Sequence, residues 1–292
     1  MELQTRVEIS SLNDKISYDS KIVFLGSCFA SEIGGIMSSL KFNTLQNPFG
    51  ALYNPASIAS SLKRLSSGQP FTEEDIIESQ GRFVTFYHHS SHSSSTKEGL
   101  VEELNSKLLL DSQSFEGADW IVVSLGTVWV YRHIEKGGIV SNCHKIPAKE
   151  FQREFLEISE IEELLGKCIQ LRGEKDVAFG NRKTKWIFTV SPIRHKKDGF
   201  HNNQLSKAQL LLAVDTLCKR YDNVFYFPAY EILLDELRDY RFYAEDMIHP
   251  SNQAVRYIWE RFVDFAIDKS AAEKMKEAER ENKRNNHRII GQ

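Results

Sequence analysis

Two hydrophobic periods run along this chain. Apolar runs at residues 22–25, 120–124, 186–190 and 224–227, interrupted only by Ser124 and Thr189, are rich in β-formers and too short for helices, so they predict buried strands. Between them the apolar positions recur at helical spacing, first at Phe29, Ile33, Ile36, Met37 and Leu40, then over residues 56–65, 100–110, 151–172, 205–221 and 252–267. Residues 42–46 suit a further strand, and residues 81–89 alternate around Phe83, Thr85 and Tyr87 as an extended segment. Residues 128–131 and 138–140 flank a turn and predict a hairpin. The stretch N-P-F-G-A-L-Y-N-P, with two prolines and Gly50, predicts a rigid loop. Buried strands alternating with helices imply an α/β fold, a parallel sheet covered on both faces and joined by right-handed crossovers. Ligands bind such sheets beyond the carboxyl ends of the strands. Gly26 to Cys28, Gly126 to Thr127 and Ser191 to His195 all fall at that edge.

Length and composition narrow the reading. The 292 residues suit one sizeable core, so residues 1–268 are expected to form a single domain, with insertions near 81–97 and 128–147. Residues 269–292 alternate charges without a clear apolar face and read as a solvated helical tail. A net charge of −3 gives no electrostatic case for nucleic acid. No run approaches a membrane span, and the N-terminus lacks the basic-then-apolar order of a secretory signal, so the expected location is cytoplasmic. Cys28, Cys143, Cys168 and Cys218 form no C-x-x-C pair, which predicts reduced thiols and neither a zinc site nor a disulfide framework. His88, His89 and His92 stand in a Ser-rich stretch with no acidic or Cys partner nearby. They read as a mobile surface loop or lid rather than a metal site, and no cofactor is expected.

The stretch K-I-V-F-L-G-S-C-F-A packs strand, turn and helix start into ten residues. Gly26 ends the strand, Ser27 is a natural N-cap, and Ser27 and Cys28 stand at a helix N-terminus, where free N–H groups and the helix dipole favour negative charge, a thiolate included. The same tripeptide is also an economical capped turn with a buried cysteine. Asn142, Cys143 and His144 form a compact polar cluster that reads equally as a substrate contact or a local turn.

The chain resembles the GSCFA-domain proteins, a branch of the SGNH (GDSL-like) hydrolase superfamily. The resemblance rests on G-S-C-F-A at Gly26 to Ala30, then N-P-F-G-A-L-Y-N-P, S-L-G-T-V-W-V-Y, N-C-H-K, S-P-I-R-H-x-K-D-G and D-M-I-H-P-S in order. It implies a flavodoxin-like three-layer α/β/α sandwich of the SGNH hydrolase type, with a nucleophile in the first block, oxyanion donors in the second and third, and Asp-x-x-His in the last. Asp246 and His249 fit that last element, an Asp orienting a general-base imidazole. Aligned without a gap, Gly-Asp-Ser-Leu places Cys28 where the superfamily has its nucleophilic Ser and Ser27 where it has Asp, so Cys28 and Ser27 are both nucleophile candidates. Val128 stands where the oxyanion Asn belongs. The amides of Cys28 and Gly50 then remain as donors, with Gly126 in the same block and Thr127, Asn142 or Asn54 as replacements. His195, His144 and the Lys196–Lys197 pair are candidates for substrate contact. The implied activity is hydrolysis of a small-molecule or carbohydrate ester through an acyl-enzyme. The alternatives are acyl transfer to a carbohydrate-type acceptor and a binding module on a decayed hydrolase fold.

Overall fold

The computed structural model describes residues 4–178, 180 and 183–290. The chain opens with an irregular arm, then β1 (Lys21–Gly26), α1 (Cys28–Ser39), β2 (Asn43–Gln46) and α2 (Pro55–Ser67). A hairpin of β3 (Ile76–Ser79) and β4 (Arg82–Thr85) precedes α3 (Lys97–Glu116) and β5 (Trp120–Leu125). Next come β6 (Trp129–His133), β7 (Ile139–Val140), β8 (Phe151–Phe155), α4 (Ile158–Ala178), β9 (Lys185–Val190), α5 (Phe200–Arg220) and β10 (Val224–Tyr226). The chain closes with a helical turn α6 (Ala229–Glu231) that runs into a π-type turn over Ile232–Leu237, then α7 (Asn252–Ala266) and α8 (Ala272–Ile290).

The five strands of the central sheet run parallel in the order β10-β9-β5-β1-β2. Successive side chains of a strand point to opposite faces, and two cores follow from that alternation. Val23, Leu25, Ile121, Val123, Trp186 and Phe188 face a core filled by α2, α3, α4 and α5. Ile22, Phe24, Trp120, Val122 and Ile187 face a second core built by α1 and α7. The result is the expected three-layer α/β/α sandwich on a parallel sheet. The chain moves outward from β1 to β2 and then crosses to β5 on the other side of β1. That reversal makes the carboxyl ends of β1 and β5 a topological switch point, where open α/β sheets usually place their ligand crevice.

Four expectations are corrected. Residues 151–155 form a strand rather than the start of a helix, because Phe151 to Phe155 pair antiparallel with β6 in a small sheet ordered β7-β6-β8; α4 starts only at Ile158. The helix expected over residues 205–221 starts earlier, since α5 already runs from Phe200 and the polar stretch after β9 is loop only to Gly199. Within the His-rich segment His88 is folded inward rather than exposed on a loop: it is 3% exposed, stacks on Phe49 and lies tilted against Phe71, with ring centroids 4.7 and 5.1 Å away, while His89 and His92 are half-buried. The charged tail is docked rather than solvated, since Ala271 and Ala278 are buried, Met275 packs on the second core, and Asn282 Nδ2 donates to the Ser39 carbonyl at the end of α1. Among the described residues, no helix is long and apolar enough to cross a membrane.

Candidate functional site

The crevice is built outward from the end of β1. Gly26 pairs with Ser124 of β5 and adopts φ +128°, a conformation open to glycine; a Cβ there would lie 2.1 Å from the Ser124 carbonyl oxygen. Its N–H donates to Asn47 Oδ1 at 2.8 Å and its carbonyl accepts from Leu52 N–H at 2.8 Å, so the turn is held from three sides. Ser27 caps α1: its Oγ accepts from Phe29 N–H at 3.3 Å and lies 2.9 Å from the Ser124 hydroxyl, with the residue 1% exposed. That oxygen is enclosed and engaged. Cys28, the first residue of α1, is half-buried, and its Sγ lies 3.6 Å from the Tyr53 hydroxyl. No acidic side chain sits in the first turn of α1 to offset the positive end of its dipole. Burial, then the hydrogen bond with Cys28, pushes the Tyr53 phenol up, so Tyr53 stays protonated and is a donor to a thiolate.

A second wall comes from the loop before α7. Asp246 Oδ2 lies 2.6 Å from His249 Nδ1, while Asp246 Oδ1 accepts from the N–H groups of Ile248 and His249 at 2.9 and 3.0 Å. The backbone N–H and imidazole of His249, with the Ile248 N–H, hold the Asp246 carboxyl down to about 2. The carboxylate therefore fixes Nδ1 as the protonated ring atom and leaves Nε2 free to take a proton. The loop after β9 carries this one: Arg194 N–H donates to the Ile248 carbonyl at 3.2 Å, and Arg194 Nη1 to the Met247 carbonyl at 3.0 Å. Met247 is held at φ +58°. Among the described residues neither Ser27 nor Cys28 is hydrogen-bonded to His249.

The expected oxyanion donors are placed less favourably. The Gly50 N–H donates to the Asn47 carbonyl at 2.7 Å, and the N–H groups of Gly126 and Thr127 both donate to the Tyr53 carbonyl, at 2.7 and 2.9 Å. Thr127 Oγ1 is taken by Ser206 and by Trp129 N–H. These groups close turns rather than offering free donors, because a tight turn satisfies its own amides first. Val128 is fully buried. Asn142 Oδ1 accepts from His144 N–H, and His144 Nε2 lies 2.8 Å from the Thr85 carbonyl, so this cluster supports the β3–β4 hairpin behind the crevice. That hairpin leads into His89, whose Cβ packs against Gly50 at φ +77°. Asn54 caps α2, with Oδ1 accepting from Ser57 N–H at 2.8 Å. Among the described residues the Cys28 N–H and Asn54 Nδ2 have no acceptor.

Two residues of the site are not singled out by the sequence pattern. Tyr53 falls in the stiff aromatic loop, which reads equally as a site lining or as a packed turn anchored by Phe49 and Tyr53. Lys207 falls within the apolar-faced part of α5, yet it is 1% exposed and its Nζ donates to the carbonyls of Gly126 and Ser191, each at 2.7 Å. It ties the ends of β5 and β9 together, and burial lowers its amine to about 7. A lysine on the core-facing positions of a helix is the one sequence signal that could have found it. His195, facing the Tyr53 ring edge with Nε2 against Gly126, has no hydrogen-bond partner at that nitrogen. Burial, Lys207 and His249 lower it to about 3. His88 is likewise lowered, chiefly by burial.

These two imidazoles have a pH consequence. Below their ordinary value of about 6.5 the unfolded chain takes up protons that the folded chain refuses. Stability is expected to fall as pH drops from about 6.5 towards 3, by up to about 1.4 kcal/mol per pH unit for each imidazole kept neutral. Urea midpoints between about pH 7 and pH 5 check this: His88→Asn should flatten the decline, and an unchanged slope would count against buried neutral His88.

A cavity of about 620 Å³ lies between arm residues 7–13 and β10 and shares no lining residue with the crevice. No group of three or more potential metal ligands occurs among the described residues. In comparisons with known proteins, the GSCFA family model matches residues 21–262, a span holding every crevice residue described above. No curated protein matches the chain.

Proposed function

The chain belongs to the GSCFA family, and from that premise we propose that it is an SGNH-like hydrolase of acyl esters working through an acyl-enzyme on Cys28. One observation carries the reading. A half-buried thiol at a helix N-terminus, within hydrogen-bond reach of the Tyr53 hydroxyl, and a preformed Asp246–His249 pair stand on the same strand-end edge of the sheet. In the proposed cycle, His249 Nε2 takes the thiol proton and Tyr53 donates to the thiolate. Sulfur attacks the ester carbonyl, the C=O electron pair moves to oxygen, and the Cys28 N–H with the α1 N-terminus receives that charge. Collapse breaks the bond to the leaving alcohol, which takes its proton from His249 and leaves a thioester. Water, deprotonated by the same imidazole, attacks the thioester; the thiolate departs and is reprotonated. Ser27 serves as the N-cap. If a sugar hydroxyl replaces the water, the same steps give an acyltransferase.

The engaged amides of Gly50, Gly126 and Thr127 favour a second reading, a binding module on a decayed hydrolase fold. Thiol chemistry separates the two. An activated Cys28 should alkylate with iodoacetamide faster than a free thiol near neutral pH, and Tyr53→Phe should slow that alkylation. A thiol as slow as free cysteine, unchanged by Tyr53→Phe, favours the binding module.

A further inference from the structure

The rim of the crevice carries an unusual side chain. Arg194 has its guanidinium 4.2 Å from the ring centroid of Phe200 and 5.3 Å from that of Tyr243. With its backbone N–H and Nη1 anchored on the loop that holds Asp246 and His249, the guanidinium is fixed in orientation. Apart from the Met247 carbonyl it meets no acceptor among the described residues, and no carboxylate pairs with it. Phe200 and Met247 beside it are 49% and 48% exposed, so apolar side chains open to solvent flank the guanidinium. The neighbouring acids are committed elsewhere: Asp198 pairs with Arg153 at 2.5 Å, Asp246 with His249, and Asp239 with Arg241. Glu245 makes no ion pair with Arg194. Lys196 and Lys197, exposed on the same loop, also lack ion-pair partners among the described residues. The patch is continuous with the crevice, because His195 follows Arg194 and packs on Gly126, and His249 follows Ile248.

We propose that this rim is an anion subsite, in which Arg194 binds a phosphate-bearing portion of the ester substrate and Phe200 and Met247 cover its apolar part. The proposal rests on the hydrolase reading for its word "substrate". The chemistry is that of a planar guanidinium, held rigid by stacking, presenting its free N–H groups to two oxygens of one anion. Three uncompensated cations on one loop exceed what a single carboxylate needs, which favours phosphate.

The test compares acetate esters that differ in one group: 4-nitrophenyl acetate, 4-acetoxyphenyl phosphate and 4-acetoxybenzoate. The phosphorylated ester is expected to show a KM about tenfold or more below the other two, a preference that shrinks with added salt. Arg194→Met should collapse the ratio of KM values. Because that change also loosens the His249 loop, the double variant Lys196→Ala and Lys197→Ala, which touches no contact of that loop, should reduce the ratio about threefold. Equal KM values for the three esters, or equal preference for the benzoate and the phosphate, overturn the proposal while leaving the hydrolase reading intact. If no ester is turned over, phenyl phosphate is titrated into the Cys28→Ala chain by NMR. Saturable binding lost on adding Arg194→Met keeps the subsite and removes the hydrolase, and no saturable binding overturns the subsite.

Discussion

Replacing Cys28 with alanine is expected to lower turnover of 4-nitrophenyl acetate by roughly 10⁴-fold or more, because the step that forms the acyl-enzyme loses its attacking atom. Folding should be little affected, since the side chain is half-buried and its one hydrogen bond, to Tyr53, is a long one. Cys28→Ser keeps the geometry but replaces a thiol with a hydroxyl that ionises far less readily, so it should retain only a small part of the activity. Ser27→Ala should behave in the opposite way. It removes the cap of α1 and leaves the buried Ser124 hydroxyl without its 2.9 Å partner, costing about 1–2 kcal/mol of stability while the nucleophile stays in place. Initial rates and urea midpoints of the three variants separate the two roles. Wild-type rates in Cys28→Ala, with loss of rate in Ser27→Ala, would move the chemistry to the serine.

Gly26→Ala is expected to be the most damaging single change to the fold. The added Cβ would stand 2.1 Å from the backbone oxygen of Ser124, and backbone, unlike a flexible side chain, cannot move aside without breaking the β1–β5 ladder. The φ of +128° adds strain for any residue with a side chain. A loss above about 4 kcal/mol is expected, enough to unfold a chain of ordinary stability. Gly68→Ala provides the control: φ is +63° at the end of α2, but no atom lies within 4 Å of an added Cβ, so only the backbone cost of about 1 kcal/mol applies. Circular dichroism and urea unfolding of the two variants give the comparison. Equal, mild losses would mean that the Gly26 turn relaxes.

Part of this architecture was open to reading because its signals are local. The strand at residues 22–25 is unbroken and apolar, Gly26 and Ser27 carry turn and cap chemistry, and the helix after them keeps its period, so strand, turn and helix follow from about twenty adjacent residues. The Asp246 to His249 spacing is local in the same sense, since a four-residue turn brings an Asp and a His together wherever it lies. What stayed hidden depends on distant partners. Phe151 to Phe155 carries Gln, Arg and Glu in a row and becomes a strand through β6, some twenty residues away. His88 looks like part of a polar tract until Phe49 and Phe71 enclose it. The sheet edge brings Lys207 under Gly126 and Ser191, and Tyr53 onto Cys28, and no spacing along the chain announces either meeting. The amides of Gly50, Gly126 and Thr127 illustrate a subtler limit. A motif can mark where a turn lies, but whether its N–H groups face a ligand or close the turn is settled by backbone geometry alone.

The central claim is that an acyl group passes through Cys28, and intact-protein mass spectrometry after brief exposure to an activated acetyl ester tests it most directly. The expected result is a gain of one acetyl group, mapped by peptide digestion to Cys28, labile to hydroxylamine as a thioester and absent in Cys28→Ala. A protein that carries no adduct under turnover conditions, or carries it on Ser27 or another residue with Cys28 unmodified, would contradict it.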